Sequence, residues 1–203
     1  MTESACFYLE NATAEKMGFA PITRQAHLQN WGKPIDQAIV DRIPGINPEA
    51  FMQQLEIEHR KFIKLGKIDT TSPINLSFLD NIKAIGKKQA ILTSRSLREV
   101  RHLLNQDHPL AQRIDAFYHK DNTDFMKPDP RVFDKVFKDF SLSPDETVYI
   151  GDSLGDAISA KSAGMHFIAV LESGLRSHDD FQTVYVDFFA TTLPEASAYI
   201  EKY

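Results

Sequence analysis

The hydrophobic period of the chain changes about a third of the way along. Over residues 4–70 apolar side chains recur at three- and four-residue spacing. Ala5, Tyr8, Leu9, Ala12 and Met17 form a helix-like set over 4–17, which Gly18 can close. A second helix is expected over 23–31. Gly32-Lys33-Pro34 breaks it, and a third follows over 35–43 with Ile35, Ala38, Ile39 and Ile43 on one face. Pro44-Gly45 and Pro48 punctuate again. A long helix over 48–65 then turns Phe51, Leu55, Phe62 and Leu65 inward. No stretch before residue 70 carries a strand pattern, so this part reads as a small helical bundle.

From about residue 75 helices and strands alternate. Leu76, Leu79, Ile82 and Ile85 predict an amphipathic helix that ends at Gly86, where Lys87 and Lys88 suit the negative end of its dipole. Ala90-Ile91-Leu92 is a short buried strand leading into Thr93-Ser94-Arg95-Ser96. A helix over 97–105, a turn at His108-Pro109 and a strand over 115–118 follow. After the loop Met126-Lys127-Pro128-Asp129-Pro130 comes a helix with Val132, Phe133, Val136 and Phe137 on its inner face. Val148-Tyr149-Ile150, an Ala-rich helix and Phe167-Ile168-Ala169-Val170 continue the alternation. Residues 185–203 add a last strand and a helix near 194–200. This order predicts an α/β fold, a parallel sheet covered on both faces. The expected division is a helical domain over 1–72 and an α/β core over 73–203.

Composition narrows the class. With 203 residues the chain can bury one core, or one core with a smaller appended domain. A net charge of −5, with both signs interspersed, offers no track for a nucleic-acid backbone. A single cysteine, Cys6, excludes an intrachain disulfide framework and fits a reducing compartment. No apolar run approaches a membrane span, and the first residues lack the basic-then-apolar layout of a secretion signal. A cytoplasmic protein is expected. The seven histidines are scattered without His-x-x-x-His or His/Cys spacing for zinc.

The chemistry concentrates in residues 148–164. A strand run ends in Gly151-Asp152-Ser153, Asp156 follows, and Ala157, Ala160 and Ala163 recur at helical spacing up to Gly164. Open parallel sheets place their ligands where strands end, and two carboxylates there suit a hard cation such as Mg²⁺. Standing alone, Asp152 is more simply a helix cap and Asp156 a first-turn acid. They do not stand alone. Thr93-Ser94 closes an earlier strand, and Lys127 sits in Lys-Pro-Asp-Pro before a helix. In that order these motifs resemble the second, third and fourth motifs of the haloacid dehalogenase superfamily, over roughly residues 4–200.

The resemblance implies a Rossmann-like core with a small α-helical cap, and roles for each motif. Thr93 and Lys127 would hold the transferring phosphoryl group, with Ser94 and Ser153 as further phosphate contacts. Asp152 and Asp156 would hold Mg²⁺, and the substrate would be a small phosphorylated metabolite. Phosphoryl transfer needs such an assembly, since its catalysis is mostly positioning and charge neutralisation.

The family's first motif, a strand ending in Asp-x-Asp-Gly-Thr, has no counterpart here. The sequence contains no Asp-x-Asp. The nucleophile, two Mg²⁺ ligands and the central strand of the sheet are therefore expected to be missing. Turnover should be lost or very weak, and a late start in the gene model is the expected reason. The layout most resembles the phosphoglycolate phosphatase and β-phosphoglucomutase branch. The mutases carry Gly-x-x-Arg in the cap, where this chain has Gly32 and then Ile35, which counts against a mutase. Lys33 is a cap candidate for a substrate anion, or for the Schiff-base lysine of a phosphonatase. A 2-haloacid dehalogenase is disfavoured because dehalogenases need no metal, and a non-catalytic phosphate- or partner-binding protein is the other alternative.

Overall fold

The computed structural model describes residues 2–202. The change in hydrophobic period becomes a change in architecture. Four helices come first: α1 (Thr2–Lys16), α2 (Arg24–Gln29), α3 (Ile35–Arg42) and α4 (Pro48–Lys64). Their starts are encoded locally. The Thr23 hydroxyl accepts the Ala26 N–H at 3.1 Å to cap α2. Asn47 accepts the Ala50 N–H at 2.9 Å, and Pro48 occupies the first turn of α4, where no amide donor is needed. Leu9, Ile22, Ile39, Phe51, Leu55 and Ile68 belong to one buried cluster.

The expected stripes are corrected at two places in the helical unit, and at Ile85, 50% exposed, in the helix that follows it. Tyr8 and Leu65 are each 64% exposed. Leu65 caps the end of α4, beyond its inward face. The inner face of α1 carries Glu3, Glu10 and Thr13 alongside Leu9 and Ala14. Glu10 is tolerated there because Arg42 Nη1 donates to both of its oxygens at 2.7 Å and His27 Nδ1 lies 2.9 Å away. A buried charge persists only when paired in this way.

The α/β part begins with α5 (Pro73–Ala84), capped by Ser72, whose hydroxyl accepts the Asn75 N–H at 3.2 Å. Then come β1 (Ala90–Leu92), α6 (Leu97–Val100), β2 (Ala116–Tyr118), α7 (Asp134–Phe140), β3 (Val148–Gly151), α8 (Leu154–Ser162), β4 (His166–Val170), β5 (Phe188–Ala190) and α9 (Ser197–Ile200). The helix expected over 97–105 is α6 followed by a 3-10 turn, Arg101–Leu104.

All strand pairs are parallel, but the strands form two sheets. Ala90 lies opposite Ala116 in the first; Val148 lies opposite His166 and Ile168 opposite Phe188 in the second. Among the described residues no strand joins β1 to β3. Nothing among the described residues stands in the place of the first strand that the resemblance implies, and the facing edges of β1 and β3 are left without a strand partner. One of their polar groups is met by a side chain, since the Tyr149 hydroxyl lies 3.3 Å from the Leu92 carbonyl.

The chain forms two units, residues 1–71 with 94–108, and residues 72–93 with 109–203. A single cut at 72/73 therefore misplaces 94–108. That segment is tied to the helical unit by side chains the hydrophobic pattern does not register. Arg95 binds Asp69 through both guanidinium nitrogens at 2.8 and 2.9 Å, and Arg98 Nε donates to Glu56 on α4 at 2.5 Å.

Candidate active site

The site of the α/β unit is built where β3 hands over to α8. Ser153 caps α8: its hydroxyl accepts the Asp156 N–H at 3.2 Å and donates to Asp156 Oδ2 at 2.7 Å. The Asp152 and Ser153 amides add bonds to the same oxygen at 3.3 and 3.1 Å. Asp156 is thus folded back under the turn. Gly151 makes room for it, since a Cβ there would stand 2.7 Å from the Asp156 Cβ and 2.8 Å from its Cγ and Oδ2. The glycine of the Gly-Asp pair is needed for space.

The other oxygen of Asp156 faces Lys127. The ammonium donates to Oδ1 at 2.6 Å and to the Tyr149 hydroxyl at 3.1 Å. Tyr149 in turn lies 3.3 Å from Asp156 Oδ1 and from the Leu92 carbonyl. Its single proton serves one of these acceptors at a time. Lys127 has three N–H groups, of which this pair uses two, leaving a third for a ligand oxygen. Burial works against the Lys127 charge, but Tyr149 and the Asp156 carboxylate hold its pKa above the ordinary lysine value. Burial likewise works against ionised Asp156. The Lys127 charge and the donors from Ser153 outweigh it and keep that carboxyl below its ordinary range. The surrounding protein lifts the Asp152 carboxyl above its ordinary range, and the Asp156 charge adds to the effect.

The expected site residues fall into three groups. Lys127, Asp152 and Asp156 meet at the start of α8, and Leu92 brings the end of β1, with half-buried Thr93, to the same place through Tyr149. The Thr93 amide donates to the Tyr118 carbonyl at 2.9 Å, which fixes the backbone just beyond the strand. Ser153 is there too, with its hydroxyl engaged as a cap. Ser94 and Lys33 lie in the other unit, Lys33 in an exposed turn between α2 and α3.

For a hard cation the two acids are not equivalent. Asp152 is an exposed residue of the turn, while the oxygens of Asp156 receive five donor contacts against about four lone-pair positions. The sequence pattern marks Tyr149 only as a strand residue. Its position two before Gly151, on the face of β3 that carries the Gly-Asp turn, is the signal that marks it.

Comparison with known proteins follows the same lines. A family model described as haloacid dehalogenase-like hydrolase matches residues 2–170. Among relatives, the chain is 24% identical to a glyceraldehyde 3-phosphate phosphatase of Pyrococcus furiosus, covering 97% of this chain and 92% of the relative. It is 24% identical to a phosphoglycolate phosphatase of Nitrosospira multiformis, covering 95% and 86%. Among solved structures, CbbY from Rhodobacter sphaeroides in complex with phosphate superposes with a TM-score of 0.74 at 18% identity, covering 96% of this chain and 89% of the other.

Proposed function

Because the chain belongs to the haloacid dehalogenase-like hydrolases, we propose that the Lys127–Asp156–Tyr149 cluster is the phosphate end of a site for a small phosphorylated metabolite, phosphoglycolate being the best single choice. One observation carries this reading. Lys127 is held between a carboxylate and a phenol with one N–H to spare, beside the residues that end β1 and β3. The relatives matched over nearly the whole chain include phosphatases of small phosphate esters, which supports the substrate class.

Lys127 neutralises a phosphoryl oxygen. Thr93 contributes its hydroxyl. Asp156 positions Lys127 and keeps it charged, rather than facing the ligand. Asp152 would hold Mg²⁺, which when bound supplies positive charge to phosphate oxygens, with water and the ligand filling its other positions.

A second reading, a binding protein without turnover, is favoured by the absence of any Asp-x-Asp in the sequence. No nucleophile is assigned, so the proposed activity of these residues is binding. The test is calorimetric titration with phosphoglycolate, with and without Mg²⁺, beside an aryl-phosphate hydrolysis assay. Binding that strengthens with Mg²⁺, fails in Asp152→Asn and Lys127→Ala, and comes without turnover supports the proposal. Robust Mg²⁺-dependent turnover that is lost in Asp152→Ala would overturn the non-catalytic part. Unchanged binding in Lys127→Ala would overturn the site itself.

A further inference from the structure

The helical unit contains a second cluster of chemically capable side chains, none of which belongs to the proposed phosphate site. His59 lies on α4, Asp69 in the turn after it, and His102 in the 3-10 turn after α6. His102 Nε2 stands 3.0 Å and His59 Nε2 3.5 Å from the same oxygen, Asp69 Oδ2. One donor atom from each residue lies within 4.8 Å of the other two. The imidazole rings meet edge to face, with centroids 5.1 Å apart.

We propose that His59, Asp69 and His102 form a binding site for one Zn²⁺ ion. Both Nε2 atoms are buried, and although each lies close to Asp69 Oδ2, neither is aligned for a well-formed hydrogen bond to it. The His59 side chain is only 7% exposed, so water does not compensate it, and a buried polar nitrogen left in this way is costly. An ion between the three atoms satisfies both nitrogens at once. Zinc bonds of about 2.0–2.1 Å at tetrahedral angles put donor atoms about 3.4 Å apart, close to the 3.0 and 3.5 Å between the two nitrogens and Asp69 Oδ2. Two imidazoles and one carboxylate suit Zn²⁺, whereas an all-oxygen set suits Mg²⁺. Three protein ligands leave the fourth position to water.

The neighbouring charges are compatible with this assignment. Arg95 binds the Asp69 carboxylate edge with both guanidinium nitrogens and so orients it, leaving a second lone pair on Oδ2. Its positive charge weakens cation affinity, and Glu99, 3.9 Å away, offsets part of that. His108 stands beyond His102, ring centroids 6.3 Å apart. The ion would clip α4 to the turn after it and to the segment after α6, all within one unit.

The proposal does not depend on the phosphate site. Its test uses the full chain stripped with chelator and titrated with Co²⁺ as a visible-absorption probe, then competed with Zn²⁺. The expected result is one equivalent bound with intense tetrahedral bands, displaced by Zn²⁺. The bands should be retained in Asp152→Asn and reduced at least tenfold in affinity by His59→Gln or His102→Gln. Imidazole nitrogen resonances of the unmodified protein, followed by NMR during Zn²⁺ addition, supply a readout that needs no variant to fold. Two histidines should shift as Nε2-bound. Absence of the bands, bands lost in Asp152→Asn, or undiminished binding in the His59→Gln/His102→Gln pair would overturn the proposal.

Discussion

Replacing Lys127 by methionine keeps the aliphatic stem and removes the charge. The Asp156 side chain is 6% exposed and that of Lys127 17%, so the pair is largely shielded. At the observed 2.6 Å, an effective dielectric of about 20 gives roughly 6 kcal/mol of attraction, and removal of two ions from water offsets several kcal/mol of it. Lys127→Met leaves the desolvation of Asp156 in place and deletes the compensation. The expected loss is about 3–5 kcal/mol of stability at neutral pH. The pH window follows from the two shifts. Asp156 has a depressed folded pKa, so its contribution is present above the unfolded carboxylate value and is lost as pH falls through the folded one. Lys127 has a raised folded pKa, so its contribution is full below the unfolded lysine value and is lost as pH rises through the folded one. The deficit of Lys127→Met should therefore be widest between those ranges and narrow on acidification. Lys127→Met/Asp156→Asn should recover more than half of it, because no lone buried charge remains. Urea unfolding followed by hydrogen exchange of β3 and α8 amides measures the unit that holds the pair. A deficit under about 1 kcal/mol, a deficit unchanged in acid, or no recovery in the double variant would refute the reasoning.

Gly151→Ala should destabilise the α/β unit by about 1–3 kcal/mol and weaken phosphoglycolate binding, because the added Cβ meets an Asp156 side chain whose oxygens are already engaged; urea melts and calorimetry check both effects. Tyr149→Phe removes one hydrogen bond from Lys127 and one donor from the β1 edge, and should cost about 1 kcal/mol while weakening phosphate binding less than Lys127→Ala does. In the helical unit, Glu10→Ala strands Arg42, whose side chain is 3% exposed, and should cost about 3–5 kcal/mol, read from the thermal shift of Trp31 fluorescence.

The elements were legible because most of them announce themselves locally. Ser72, Asn47, Thr23 and Ser153 each stand immediately before a helix and cap it, and β3 and β4 are continuous apolar runs. What pattern reading mislaid is polar. It turned Tyr8 inward, although the inner face of α1 is held by Glu10 with Arg42 and His27, partners 32 and 17 residues away. It assigned 94–108 to the α/β part because the apolar pattern there says nothing of the Arg95–Asp69 and Arg98–Glu56 bonds. His59 and His102 escaped for the same reason. They share no spacing rule, and only the turn at Asp69 brings them to one oxygen.

In the Gly-Asp-Ser-x-x-Asp stretch a helix cap and an ion pair share one carboxylate. Ser153 and Asp156 do form a capping box, and that box aims Asp156 Oδ1 at Lys127. The oxygen that accepts from the turn is Oδ2, and the one that accepts from the ammonium is Oδ1. One carboxylate thus starts a helix and holds a cation in place, and the glycine before it is required by that carboxylate's position. A cap alone would accept many residue types at 151 and any acid or amide at 156. The combination is restrictive because the charge of Lys127 is balanced inside the protein by the carboxylate that also caps α8. It follows that the capping geometry and the phosphate affinity should fail together. Ser153→Ala is expected to loosen the first turn of α8 and to weaken phosphate binding through Lys127, although the Ser153 hydroxyl, occupied by Asp156, need never touch the ligand.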